Sequence, residues 1–144
     1  MSKYRYEVGA TQVALLNVKE LGKTTLTHDW DRVEPYGMTF QEFTVYRQSA
    51  SGKEFGDGFP ACEWTFDTMH PSQMTALLNY IGTGKQSNTV YIRTRLRDGT
   101  YKPYEAIMHR PRVGEDMEYV NNRWHNITVR FTCLVIQPKE LGEI

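Results

Sequence analysis

Residues 88–111 read NTVYIRTRLRDGTYKPYEAIMHRP, and the reading of this stretch decides the fold class. Val90, Ile92, Thr94 and Leu96 alternate with Tyr91, Arg93, Arg95 and Arg97, the period of two expected of a strand with one buried face. Asp98-Gly99 supplies turn chemistry and a second alternating run follows, so the segment predicts an antiparallel hairpin. The outward face of its first strand is basic. That raises three readings: a nucleic-acid surface, a substrate site, or a seam between protein subunits.

The flanking sequence extends the pattern. In ACEWTFD, 61–67, Cys62, Trp64 and Phe66 point one way and Glu63, Thr65 and Asp67 the other. PSQMTALLNYI, 71–81, is the one helix predicted. Pro71 suits a first helical turn, Met74, Leu77, Leu78 and Ile81 make an i, i+3, i+4, i+7 stripe, and Gly82 and Gly84 follow as a stop. After a polar link, RPRVGEDMEY, Asn121-Asn122 is a turn candidate. The longest strand is expected at 126–136, with Ile127, Val129, Phe131, Cys133 and Val135 on one face and Thr128, Arg130 and Thr132 on the other. Upstream, 3–8 reads as a strand or arm, 10–18 is apolar but too short to type, and 24–30 is β-leaning. Residues 39–47 read as a strand with Phe43, Val45 and Arg47 on one face. Residues 48–60, QSASGKEFGDGFP, read as a loop longer than ordinary connections, hence functional or mobile. The expectation is a mainly β chain, one domain over 1–144. It is an antiparallel β-sandwich or partly open barrel with one short flanking α-helix at about 71–81.

A chain of 144 residues suits a single core. Mean hydropathy is −0.57 while 12% of residues are aromatic, so the apolar content is concentrated in rings. Lys plus Arg equals Asp plus Glu at 17 each, so the formal net charge is zero. A protein that grips phosphate backbones usually carries a basic surplus, whereas zero net charge weakens repulsion between copies. No run of 18 apolar residues is present and MSKYRYEV lacks an apolar signal core, so neither membrane nor secretion is expected. Cys62 and Cys133 are both expected as buried thiols.

No catalytic, metal or cofactor constellation emerges. The histidines, His28, His70, His109 and His125, have no metal-site spacing among themselves or with cysteine. THDWD, 27–31, reads as a solvated turn. No GxSxG elbow occurs, and GKEFGDG, 52–58, lacks the strand-to-helix setting of a phosphate loop. The Asn126-Ile127-Thr128 sequon opens a core strand and is read as chance. Within the loop, Phe55 and Phe59 among glycines are candidate anchors for a partner, with Lys53 and Asp57 beside them. Arg93, Arg95 and Arg97 suit a subunit seam, since a guanidinium pairs bidentately with carboxylates.

The order of elements resembles the tail tube proteins of long-tailed bacteriophages and related phage tail structural proteins. The residues that carry it are Glu63-Trp64-Thr65-Phe66 leading into PSQMTALLNYI, the hairpin NTVYIRTRLRDGTYKPYEAIMHRP, and the alternating strand NITVRFTCLVI, together covering roughly 39–136. The resemblance implies a β-sandwich or open barrel with a helix at its flank. It implies a structural virion protein rather than an enzyme, assembled in the host cytoplasm as hexameric rings that stack into a tube. Other tail proteins would be its partners, and DNA would pass through the lumen without specific binding. An extended loop, here 48–60, would contact the neighbouring ring. Family tubes present an acidic lumen; no acidic strand stands out here, although Glu63 and Asp67 could contribute. A head–tail joining or tail-tip protein of the same fold is an alternative. A second alternative is a single-stranded nucleic-acid-binding β-barrel using Tyr91 for stacking and the three arginines for phosphates. A third, an enzyme or small-ligand barrel, needs a cavity that Trp64, Phe66 and Phe131 would tend to fill.

Overall fold

The computed structural model describes residues 5–11, 13–21, 34–36, 40–42 and 45–136. In chain order the elements are β1 Glu7–Gly9, β2 Leu16–Asn17, a single 3-10 turn Val18–Glu20, β3 Val45–Gln48, β4 Glu54–Asp57, β5 Cys62–Met69, α1 Pro71–Leu78, β6 Ser87–Arg95, β7 Tyr101–His109, β8 Glu118–Val120 and β9 Arg123–Ile136. The chain is mainly β: an antiparallel curled sheet forming a half-barrel, with one α-helix among the described residues.

Local turn chemistry sets the hairpins. β6 and β7 pair from Ser87↔His109 to Arg95↔Tyr101. At the turn, Thr100 donates both its amide and its hydroxyl to Asp98 Oδ1, at 3.0 and 2.6 Å. Asn121 and Asn122, at φ 54° and 63°, close the β8–β9 hairpin. Two left-handed central residues give the primed turn whose twist matches that of the strands.

The main sheet runs β2-β1-β6-β7-β9-β5, with β8 also on β9. β9 is long enough to serve three partners. β5 lies along one edge, from Cys62↔Phe131 to Met69↔Trp124. On the other edge, β7 pairs with its C-terminal half and β8 with its start. β3 and β4 form a separate two-stranded sheet.

The curl follows from one contact. In a flat sheet β5 and β6, three steps apart, would lie about 14 Å from each other. Yet Trp64 of β5 donates its indole N–H to Thr94 Oγ1 of β6 at 3.0 Å. Trp64 also packs on Phe131 at a centroid distance of 4.6 Å and edge-on against Tyr6 at 5.5 Å. Trp64, Phe66, Phe131, Ile127, Val129, Val90, Ile92 and Met108 are all buried.

α1 covers this core with Met74 and Leu77 buried and Leu78 packed at its margin. His70 is the N-cap, Pro71 takes the first helical position, and the Gln73 side chain accepts the His70 amide at 2.8 Å. The helix ends at Leu78, earlier than the expected 71–81. Ile81 still reaches the core, from the turn that Gly82 closes at φ 97°.

Three expectations change. First, Cys133 is exposed while Cys62 is buried. Glu105 faces Val135 but Ile107 faces Thr132, so β9 spends one more residue than β7 over that interval. Cys133 takes φ 54° at this bulge. The inward stripe therefore passes from Phe131 to Leu134, leaving Val135 45% exposed. Second, the stretch 48–60 is not one irregular loop. Glu54–Asp57 is a strand on Val45–Gln48, joined by a tight turn in which Gly52 has φ 89°. Third, the strand expected over 39–47 is confined to Val45–Gln48, with Gln41 making an isolated bridge to Ala61. The arm at 3–8 becomes β1 at Glu7–Gly9. The stretches 24–30 and 27–31 lie outside the described residues, as does Phe43.

Two measurements check this arrangement. Trp64→Ala removes the residue on which the curl turns and should cost about 3–5 kcal/mol in denaturant unfolding. The burial that hides Cys62 also pushes its thiol pKa up to about 12. An aromatic disulfide reagent should therefore titrate one thiol in the native protein and two after unfolding; two fast thiols would put Cys62 at the surface.

Candidate functional site

The seven residues expected at subunit contacts fall in different settings. Arg93 is 3% exposed, not on a solvated face. The reason lies in β1: Glu7 stands directly opposite Arg93, and its Oε1 accepts the Arg93 Nε–H at 2.8 Å. Arg5 Nε and its terminal nitrogen reach the other oxygen at 2.9 and 2.8 Å. Two guanidiniums thus share one carboxylate inside the fold, and Arg93 is withdrawn from any surface of the single chain.

Arg95 and Arg97 are exposed. Arg97 donates to the Phe40 carbonyl at 3.0 Å. It lines a groove of about 530 Å³ with Phe40, Pro60, Leu96 and Tyr104, where Lys102 adds a second cation and Glu42 and Asp98 supply anions. Tyr91 is half-buried, and its hydroxyl donates to Glu105 Oε2 at 3.2 Å. That hydrogen bond to the carboxylate holds the Tyr91 phenol above its ordinary pKa. Glu105 faces Tyr91 in the register, not one of the arginines. The alternation of Tyr91 with three arginines therefore does not form one continuous basic and aromatic surface, which is what a single-strand binder would need.

Lys53 is exposed at the turn of the β3–β4 hairpin, and its carbonyl accepts the Ser49 amide at 2.8 Å. Phe55 and Asp57 lie on β4, opposite Arg47 and Val45. Phe59 follows the hairpin and is 58% exposed.

A second constellation was missed by reading RPRVGEDMEY as a polar link. A recess of about 460 Å³ gathers Arg110, Arg112 and Arg130 with Glu115 and Asp116, and His109 and Thr132 at its side. Asp116 is 6% exposed and organises the site. Its Oδ2 accepts the Arg112 amide at 2.9 Å, and Arg130 pairs with Oδ1 at 2.8 Å. Burial opposes ionisation of Asp116, but these donors outweigh it and hold the carboxyl below its usual pKa. The sequence signal was present: bases at 110 and 112, acids at 115 and 116, and Arg130 on the outward phase of β9. Only the register of β7 on β9 brings them together.

Among the described residues, no three His, Cys, Asp or Glu side chains form a group able to hold a metal ion. No helix there is long and apolar enough to cross a membrane. Comparison with protein-family models, with curated proteins and with solved structures gives no match for this chain.

The Glu7–Arg93 pair makes a direct forecast. The two side chains are 9% and 4% exposed, so Glu7→Gln leaves a buried cation without its carboxylate and should cost about 3 kcal/mol. Replacing both partners by apolar residues, Glu7→Leu with Arg93→Met, should recover most of that loss in a double-mutant cycle followed by urea unfolding.

Proposed function

We propose that this chain is a structural assembly protein, a ring-forming subunit of the phage tail tube kind, with no catalytic role. The observation that carries the reading is the β3–β4 hairpin. It is a two-stranded sheet outside the main sheet, and such a hairpin alone is at best marginally stable in water. A neighbouring copy can supply a surface for it to pack on. Lys53 at its turn and Phe59 just beyond it are exposed for such a contact.

The charge pattern supports the same reading. Zero net charge imposes little repulsion between copies. The groove at Arg97 pairs apolar walls with cations and anions, the mixture found at specific subunit contacts. A hairpin from one copy meeting a different surface on the next is a heterologous contact, the type that closes into rings when the rotation permits. In this reading the rings are hexameric and stack into a tube through which DNA passes, with other tail proteins at its ends and the virion tail as its location. A head–tail joining or tail-tip role uses the same contacts in a single ring.

Negative-stain microscopy and sedimentation across a concentration series test the proposal. Rings or tubes are expected to appear as concentration rises, alone or with other tail components. Deleting residues 50–57 removes most of the turn and all of β4 but none of the seven strands of the main sheet. The shortened chain should melt cooperatively as a monomer and fail to form rings. Unchanged polymerisation would show that the hairpin is not the connector, and persistent wild-type monomers under all conditions would count against assembly itself.

A further inference from the structure

The arginine recess stands apart from the hairpin and the Arg97 groove, and its chemistry does not depend on whether the chain assembles. We propose that it binds a phosphoryl oxyanion.

Three guanidiniums reach one concavity from separate chain positions: Arg110 just after β7, Arg112 in the link to β8, and Arg130 in β9. Two of them are held in place by the protein. Arg110 donates Nε–H to the Lys85 carbonyl at 2.8 Å and a terminal N–H to the Gly82 carbonyl at 2.7 Å. Its hydrogen bonds thus go to neutral acceptors, and among the described residues no carboxylate pairs with it. Arg130 is fixed by Asp116 at 2.8 Å, with Glu63 more distant at 3.5 Å. Arg112 differs: its side chain is 75% exposed, and its ion pair with Glu115, itself 70% exposed, is 3.6 Å long. A contact so long and so solvated contributes little, so both side chains can be redirected by a ligand.

This arrangement selects a ligand class. A carboxylate offers two oxygens and matches one guanidinium fork. A phosphoryl group offers three or more acceptor oxygens and up to two charges, and it satisfies several forks at once. Asp116 does not compete, because both its oxygens are already engaged, by the Arg112 amide and by Arg130. With Asp116 neutralised by Arg130, Glu115 is the one lining carboxylate left to oppose an incoming anion. On binding, Arg112 exchanges Glu115 for the phosphoryl oxygens while Arg110 and Arg130 stay where the fold holds them. The recess volume, about 460 Å³, falls in the range of small-ligand sites.

The test uses the full-length 15N-labelled protein at low ionic strength, titrated separately with pyrophosphate, citrate and a short oligothymidine. Pyrophosphate should saturably shift the amides of Gln86, Arg112 and Thr132. Arg112→Gln removes a mostly solvated side chain and keeps the backbone amide on Asp116; it should weaken binding roughly tenfold. Glu115→Gln should tighten binding by a few-fold, since it removes the opposing charge. Oligothymidine shifting these amides where pyrophosphate does not would assign the phosphoryl group to a nucleic-acid backbone and would support the proposal. Citrate binding as tightly as pyrophosphate would overturn it. So would no saturable shift with either phosphate ligand, or equal affinity for wild type and both variants. Ring formation is read separately in the same preparations, so failure here leaves the assembly proposal standing or falling on its own.

Discussion

An indole that is 1% exposed cannot leave its N–H unpaired without a penalty of the order of 1–3 kcal/mol. Trp64 finds its acceptor on Thr94, across two intervening strands. The rest of the architecture follows from satisfying that bond. Bringing β5 over β6 bends the sheet, the concave side must then be filled, and Tyr6 and Phe131 pack on the indole with Tyr101 edge-on against Tyr6. α1 packs Met74 and Leu77 against the same interior. A threonine at 94 is therefore part of the inward face for a specific chemical reason: it supplies an oxygen where valine would supply only a methyl group.

The opposite face of β6 obeys a different rule. Its arginines share a phase but not an environment, because short β1 covers only part of the strand. Where Glu7 lies opposite, Arg93 becomes internal; two residues on, at the end of the strand, Arg95 remains in solvent. A buried pair of this kind adds little net stability compared with apolar residues of similar volume, but it penalises misregister heavily. Sliding β1 by one residue would point Glu7 away from Arg93 and strand both charges. For a three-residue strand, such a registry device is worth more than propensity.

How much of this was legible depended on the range of the forces involved. Strand periodicity at 61–67, the Asp98-Gly99 turn, the Asn121-Asn122 turn and the helix stripe are local signals; the strand runs on to Met69 and the helix stops at Leu78, but each lies where the sequence indicated. The buried ends of Trp64 and Phe131 were equally readable from alternation. What failed was non-local. Cys133 shares the parity of Phe131, and only the mismatch with β7 reveals the extra residue that turns it outward. Arg93 looks like Arg95 until β1 is placed. The recess needed three separated segments in register. β4 was hidden by its own composition: glycine at position 56 and acids at 54 and 57 disguise a strand that its pairing with β3 creates.

The position of β9 bears on how the molecule comes into being during synthesis. It is the last described strand in chain order, yet it lies inside the sheet with β5 on one edge and β7 and β8 on the other. β6 and β7 can meet as a local hairpin, whereas β5 waits for a partner whose pairing residues lie roughly sixty positions further along the chain. A nascent chain therefore carries Trp64 and Phe66 without their closing strand until β9 has been made. Such a high contact order favours slow folding and prolonged exposure of aromatic surface. The pace of synthesis between β5 and β9 therefore sets how long those aromatic side chains wait before the interior can close over them.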